Sequence, residues 1–298
     1  TVGSSSRCSE PRGSRCRPNA SLENVLLKTT TSKWGKLRPM RDLMTTVVRN
    51  EALGVASRLM TLSLPRGFPE PQAGNFLMLS TGGEPEIQLR RPMAFFDFRK
   101  TKTASFATVL YAAHGRGTSR LARAQRGDRL SILAPLGNSF SNARASDRTL
   151  IVAGGIGIAP FYLWWKQASA TARKNTRMVF GFRTREQAKM ATPFKAMRPT
   201  IALQEKPRGF VQGTVIDALG PLDTGFNPTK ILTCGPNPMM AAVVDYAKAR
   251  GVTCEVSLEA KMGCGMGVCL SCVTDFPYVA QGENDRILLC QQGPVFMV

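Results

Sequence analysis

The chain has 298 residues, 43% of them hydrophobic, and 40 Lys and Arg against 20 Asp and Glu give it a formal charge of +20. That hydrophobic share supports one or two packed domains and excludes a globally disordered chain. A single histidine, His114, argues against a Ser-His-Asp hydrolase or a histidine-rich metal centre, and 4 Tyr with 3 Trp leave few stacking platforms for single-stranded nucleic acid.

Residues 1–42 read as a basic disordered extension, opening on TVGSSSRCSEPRGSRCRPNAS with almost no apolar content. Over residues 1–39, eight Lys and Arg stand against Glu10 and Glu23, a local +6 that leaves +14 for the rest of the chain. An Arg- and Ser-rich, acid-poor start resembles an organelle transit segment. The other reading is that the functional chain opens at Met40 or Met44.

Residues 43–145 carry short runs bounded by Gly, Pro, Asn or Glu: TTVVRNE, SRLMTLSLP, GNFLMLS, EIQLRRP, ASFATVLYAAHGRGT and GDRLSILAPLG. Closely spaced strands with turn residues between them predict a small antiparallel barrel, with GTSRLARAQ as one short helix. At Thr149 the period changes. Residues 146–252 alternate strand and helix: TLIVAGG, IAPFYLWWKQASATA, TRMVFGF, REQAKMATPFKAM, KILTCGP and NPMMAAVVDYAKAR. That alternation predicts an α/β domain on a mainly parallel sheet. Residues 253–298 form a short glycine-rich lobe with five of the eight cysteines. No stretch reads as a membrane span: the longest uncharged run, Thr149 to Trp165, holds Gly154, Gly155, Gly157 and Pro160, whereas a spanning helix needs about 20 apolar residues.

The sharpest chemical signal is CGMGVCLSC followed by ILLC. Cys264, Cys269 and Cys272 have the spacing C-x4-C-x2-C, and Cys290 supplies a fourth thiolate. This is the plant-type spacing for a 2Fe–2S cluster. Gly263, Gly265 and Gly267 let the backbone approach and aim N–H groups at sulfur. A structural zinc site prefers paired short spacings, and disulfides inside so tight a loop would be strained. Cys8, Cys16, Cys234 and Cys254 are left over. A cluster with free thiols argues for a reducing compartment: the cytoplasm, or an organelle matrix if residues 1–42 are a transit segment.

A second signal is LIVAGGIGIAP, a hydrophobic strand entering a glycine turn and a helix, with LTCGPNPMM as a second strand end able to face the same crevice. Alone, GGIG is equally a plain strand-to-helix turn. A third is LRRPMAF with GRGTSRL, where Arg90, Arg91, Gly117 and Thr118 could hold phosphate. The bland alternative is surface arginines beside a turn.

Taken in order, RRPMAF, GRGTSRL, GDRLSILAPLGNSF, AGGIGIAP, GFRT, CGPNPMM, SLEAKMGCGMGVCLSC and CQQGPVF resemble the ferredoxin-reductase superfamily. Within it they are most similar to the electron-transfer subunits of type B dihydroorotate dehydrogenases. The resemblance implies an FAD-binding barrel over residues 43–145, an NAD(P)-binding domain over 146–252 and a 2Fe–2S domain over 253–298. It implies that Arg91, Pro92, Met93 and Ala94 line the flavin, that Leu110, Tyr111 and Ala112 lie along it, and that Gly117 and Thr118 bind its pyrophosphate. Gly154, Gly155, Ile156, Gly157, Ile158, Ala159 and Pro160, with Cys234, Gly235 and Pro236, would hold the nicotinamide nucleotide. Cys264, Cys269, Cys272 and Cys290 would ligate the cluster.

The implied function is an electron relay serving a separate FMN-containing catalytic subunit in pyrimidine biosynthesis, in a heterotetramer. The cofactors carry the chemistry, and no catalytic acid or base is expected of this chain. One departure stands out: the family places Ser or Thr where this chain has Ala94, which removes one hydrogen bond near the flavin. Three alternatives remain open. The same fold serves as a reductase subunit for ferredoxins, hydrogenases or other partners. A basic scaffold or nucleic-acid-binding protein could retain it, although no nucleic-acid motif is present. NADP could replace NAD, because Arg183 and Arg185 follow the second strand of the nucleotide domain, where a 2′-phosphate would bind.

Overall fold

A computed structural model describes residues 40–82, 89–205, 209–279 and 286–298, with backbone alone at 221–224. The basic segment before residue 40, with Cys8 and Cys16, and the start of the EIQLRRP strand lie outside the described residues.

Seven strands form the first sheet: β1 (Arg41–Ala52), β2 (Ser57–Leu64), β3 (Phe76–Leu79), β4 (Arg91–Ala94), β5 (Asp97–Lys100), β6 (Ser105–Ala112) and β7 (Arg129–Leu136). Every pairing is antiparallel, in the order β4-β3-β7-β1-β2-β6-β5. Alternation drives the pairing: Met60, Leu62 and Leu64 of β2 point inward, and Val47 of β1 sits opposite Leu62. The sheet curls until Phe96, just beyond β4, donates its N–H to the Thr108 carbonyl of β6 at 2.8 Å. The half-closed barrel is completed by α1 (Arg116–Leu121).

The second sheet contains β8 (Thr149–Gly154), β9 (Thr176–Phe182), β10 (Thr200–Leu203), β11 (Val211–Gln212), β12 (Lys230–Cys234), β13 (Thr253–Ser257) and β14 (Val295–Met297). Its order is β11-β10-β9-β8-β12-β13-β14, parallel except for the β13–β14 pair. All six residues of β8 are buried, as a strand covered on both faces requires. The covering helices are α2 (Ala159–Gln167), α3 (Ala170–Lys174), α4 (Arg185–Ala188), α5 (Val215–Phe226) and α6 (Asn237–Lys248). The chain leaves β8 toward β9 on one side and returns to β12 on the other, so strand order reverses between β8 and β12. A crevice opens at the carboxyl ends of such neighbours. A short helix, α7 (Leu289–Gln292), precedes β14. Among the described residues no helix is long and apolar enough to cross a membrane.

Three local expectations differ. The helix expected over IAPFYLWWKQASATA breaks at Ser169, whose hydroxyl caps α3 by accepting from Ala172 N–H. REQAKMATPFKAM forms only α4 and then a 3₁₀ stretch through Met197, because Pro193 lacks the N–H an α-helix needs. Strands β10, β11 and β13 and helix α5 carry too little periodic signal to stand out in the sequence.

The two sheets share a core. Phe96 of the barrel stacks on Tyr162 of α2 at 4.4 Å between centroids, and Phe194 meets both rings edge-on before packing on Phe180 of β9.

Candidate active site and cluster loop

A cleft of about 320 Å³ lies between the sheets, in front of the β8/β12 reversal. One wall comes from β4 (Arg91, Pro92, Met93, Ala94) and β6 with its extension (Leu110, Tyr111, Ala112, His114), with Thr118 at one end. The opposite wall comes from Ile156, Ala159, Pro160 and Cys234. Twelve of the nineteen sequence-expected cofactor residues therefore line one cavity.

The other seven stand behind it. Gly117 lies under the Arg91 guanidinium: a Cβ there would fall 2.7 Å from Arg91 Nε and Nη2, so glycine lets the cation reach over the start of α1. A Cβ on Gly157 would sit 2.4 Å from the Cys234 carbonyl oxygen, and one on Gly154 2.6 Å from Met239 Sδ. Gly155 and Gly235 have φ of +56° and +153°, in the region glycine adopts freely. Pro236 caps the start of α6, and Ile158 is fully buried in the core. The backbone is thus pressed together at the strand ends, as close approach to a dinucleotide requires.

Polar groups in the cleft are few. Thr118 Oγ1 accepts from the backbone N–H groups of His114 and Gly115 at 3.1 and 3.2 Å, closing the first turn of α1. Tyr111 donates its hydroxyl to Asn50 Oδ1 at 2.9 Å, and burial raises its pKa. Burial and the neighbouring Glu259 carboxyl push the Cys234 thiol far up, so it stays neutral. Arg90 does not join Arg91 as a phosphate clamp. It is held by Asp42 at 2.9 and 3.0 Å and by Ser131, strand neighbours that the local sequence does not reveal. Arg183 and Arg185 are exposed beyond β9.

Sequence reasoning missed the third wall: Ser257, Leu258, Glu259, Ala260, Met262 and Pro294. Glu259 is the notable one. Surrounding protein raises its pKa, although its side chain opens to solvent across the cleft, and it has no hydrogen-bond partner among the described residues. In the sequence it stands within SLEAKM, an acid between a strand end and the cysteine run.

The cysteine loop follows at once. Gly265 and Gly267, at φ +74° and +83°, turn the backbone so that Met266 N–H points at Cys264 Sγ, 3.3 Å away. Cys264 and Cys269 exchange N–H···S contacts of 3.3 and 3.4 Å, while Cys272 and Cys290 bring their sulfurs to 3.2 Å. Reciprocal N–H···S contacts thus tie Cys264 to Cys269, while Cys272 and Cys290 meet sulfur to sulfur. Two pairs fit a two-iron cluster, with two thiolates for each iron. Hydrogen bonds from Ser271 and Cys264 pull Cys269 down to about 6, whereas burial and Cys272 push Cys290 up to about 12.

Comparison with known proteins agrees with this architecture. A chain from the structure of the NADH-dependent reduced ferredoxin-NADP oxidoreductase superposes with a TM-score of 0.69 at 22% identity, covering 85% of this chain and 87% of that one. The FAD/NAD-binding domain of nitric oxide dioxygenase from Vibrio cholerae gives 0.57 at 13% identity, covering 70% and 93%. Residues 151–245 match the oxidoreductase NAD-binding domain family. The class is therefore a ferredoxin-reductase-like oxidoreductase with an added C-terminal lobe.

That lobe narrows the assignment. Residues 259–298 match the iron-sulfur cluster binding domain of dihydroorotate dehydrogenase B. The dihydroorotate dehydrogenase B (NAD(+)) electron transfer subunit of Caldanaerobacter subterraneus subsp. tengcongensis is 30% identical over 81% of this chain and 92% of its own length. That of Bacillus caldolyticus is 33% identical over 76% and 84%. The chain belongs to the family of dihydroorotate dehydrogenase B electron-transfer subunits.

Proposed function

We propose that this chain relays electrons between an FMN-containing, dihydroorotate-oxidising subunit and NAD, through a 2Fe–2S cluster and FAD. The observation that carries the reading is the convergence of three chain regions on one cleft: the barrel, the glycine turns of the nucleotide sheet, and Met262 and Pro294 of the cysteine lobe. When bound, the cluster passes single electrons and the flavin exchanges a hydride with the nicotinamide.

The protein's part is to hold these groups in line and dry. Arg91 and the Gly117–Thr118 turn receive the FAD pyrophosphate, while Met93, Ala94 and the Leu110–Ala112 strand wall its ring. The backbone from Gly154 to Pro160 and from Cys234 to Pro236 takes the dinucleotide. Cys234 lends a small neutral side chain at the junction rather than a proton. Cys264, Cys269, Cys272 and Cys290 hold the cluster. Exposed Met266, Val268, Leu270 and Val273 surround it with an uncharged face for the catalytic subunit. Ala94 offers no hydroxyl to the ring, which slows or retunes hydride exchange without removing the binding site. A thiolate-held cluster with Cys234 and Cys254 unpaired favours a reducing compartment, the cytoplasm.

An anaerobic visible spectrum with iron, sulfide and flavin assays, before and after NADH, tests the reading. Flavin and cluster bands that bleach with NADH are expected. A protein that reconstitutes with neither chromophore would overturn it.

A further inference from the structure

Residues 292–295 of the cysteine lobe are held against the barrel by Asn138. Asn138, in the turn after β7, donates through Nδ2 to the carbonyls of Gln292 and Val295 at 3.1 and 2.7 Å. Its Oδ1 accepts from Val295 N–H at 2.8 Å, and its own N–H donates to the Gly293 carbonyl at 2.8 Å. Asn75 braces the turn from behind, donating to the carbonyls of Gly137 and Asn138 at 2.9 Å each.

The fastened segment touches both cofactor sites. Cys290 lies two residues before Gln292, and Pro294 lies between Gly293 and Val295 and lines the cleft. The contact is tight: a Cβ on Gly137 would fall 2.6 Å from Pro294 Cδ, and one on Gly265 of the cysteine loop 2.6 Å from Met78 of β3. Whatever fixes residues 290–295 against the barrel therefore fixes a cluster ligand and a cleft wall together.

We infer that Asn138 is a positioning residue for the relay, and that through it FAD binding and cluster retention reinforce each other. The inference rests on the proposed function. A cluster gathers Cys290 to the Cys264–Cys272 loop, which steadies Pro294 and Met262 for the flavin. By linkage the flavin must favour the cluster by the same factor.

The test measures FAD affinity of the full-length chain by flavin fluorescence, with the cluster assembled and with iron and sulfide withheld. The unaltered chain should bind FAD about tenfold more tightly when the cluster is present. Asn138→Ala should bring that ratio toward one and shorten cluster lifetime under chelator. Asn138→Asp, which keeps the acceptor for Val295 N–H but sets a carboxylate oxygen against the Gln292 and Val295 carbonyls, should lose the coupling at least as fully. If Asn138→Ala fails to fold, the unaltered chain and Asn138→Asp still decide. Equal FAD affinity with and without cluster in a chain that binds both would overturn the inference alone, as would an undiminished ratio in Asn138→Ala. A chain that binds neither would overturn the proposed function with it.

Discussion

The cleft and the cysteine loop do related work with opposite construction. The cleft gathers residues from Gly74 to Pro294, 220 positions apart, on the ends of strands from both sheets. The loop gathers three of its four proposed ligands within nine residues, on backbone with positive φ at Gly265, Gly267 and Leu270, with Cys269 exposed. A thiolate cage is local chemistry and needs a flexible turn. A dinucleotide and flavin site is extended and needs a scaffold that already holds its shape.

Removing one ligand should give the largest effect and separate the two regions. Cys269→Ser is expected to lose essentially all cluster iron while still taking up FAD, read by iron assay and flavin absorbance. Loss of flavin as fully as of iron would break the distinction.

In the cleft, Arg91→Ala should weaken FAD by about 2 kcal/mol, roughly thirtyfold in Kd, because a charge-assisted contact to phosphate is lost. Iron content should hold. Fluorescence titration checks it, and an unchanged Kd would misplace the pyrophosphate.

Rigidity itself is tested at Gly157. A Cβ 2.4 Å from the Cys234 carbonyl forces β8 and β12 apart, so Gly157→Ala should cost about 1–3 kcal/mol of stability in denaturant melts. A neutral result would show that the crevice yields as readily as the loop.

The smallest effect is at Glu259, whose folded pKa is raised. Below the ordinary carboxylate range it is protonated whether the chain is folded or not, and it imposes no penalty. As pH climbs through the raised value the folded site disfavours the charge, so the cofactor-free protein loses stability. Glu259→Gln should flatten that fall in urea midpoints measured across pH.

What the sequence made legible follows the same division. The cysteine spacing carries its chemistry within a short window, because iron dictates it. GGIG and CGP were weak singly and informative together, since each supplies half of a crevice formed by neighbouring parallel strands. Arg90 looked equivalent to Arg91 until Asp42, 48 residues away, was seen to hold it. Asn138 stands in the GNSF stretch of the family resemblance, but its fastening role gave no signal, because its partners are backbone groups 154 and 157 residues distant, which any residue can present. Pro193 was visible throughout, but the helical pattern around it outweighed its missing N–H.

The aromatic seam has a consequence for heredity. Phe96, Tyr162, Phe194 and Phe180 belong to one continuous core that crosses from the barrel into the nucleotide sheet. Severing the gene between β7 and β8 would leave each half with a sticky apolar wound of stacked rings facing water. Such a chain cannot shuffle its halves as independent cassettes. Its freedom to diversify lies at the rim, in surfaces such as the uncharged face around the cysteine loop.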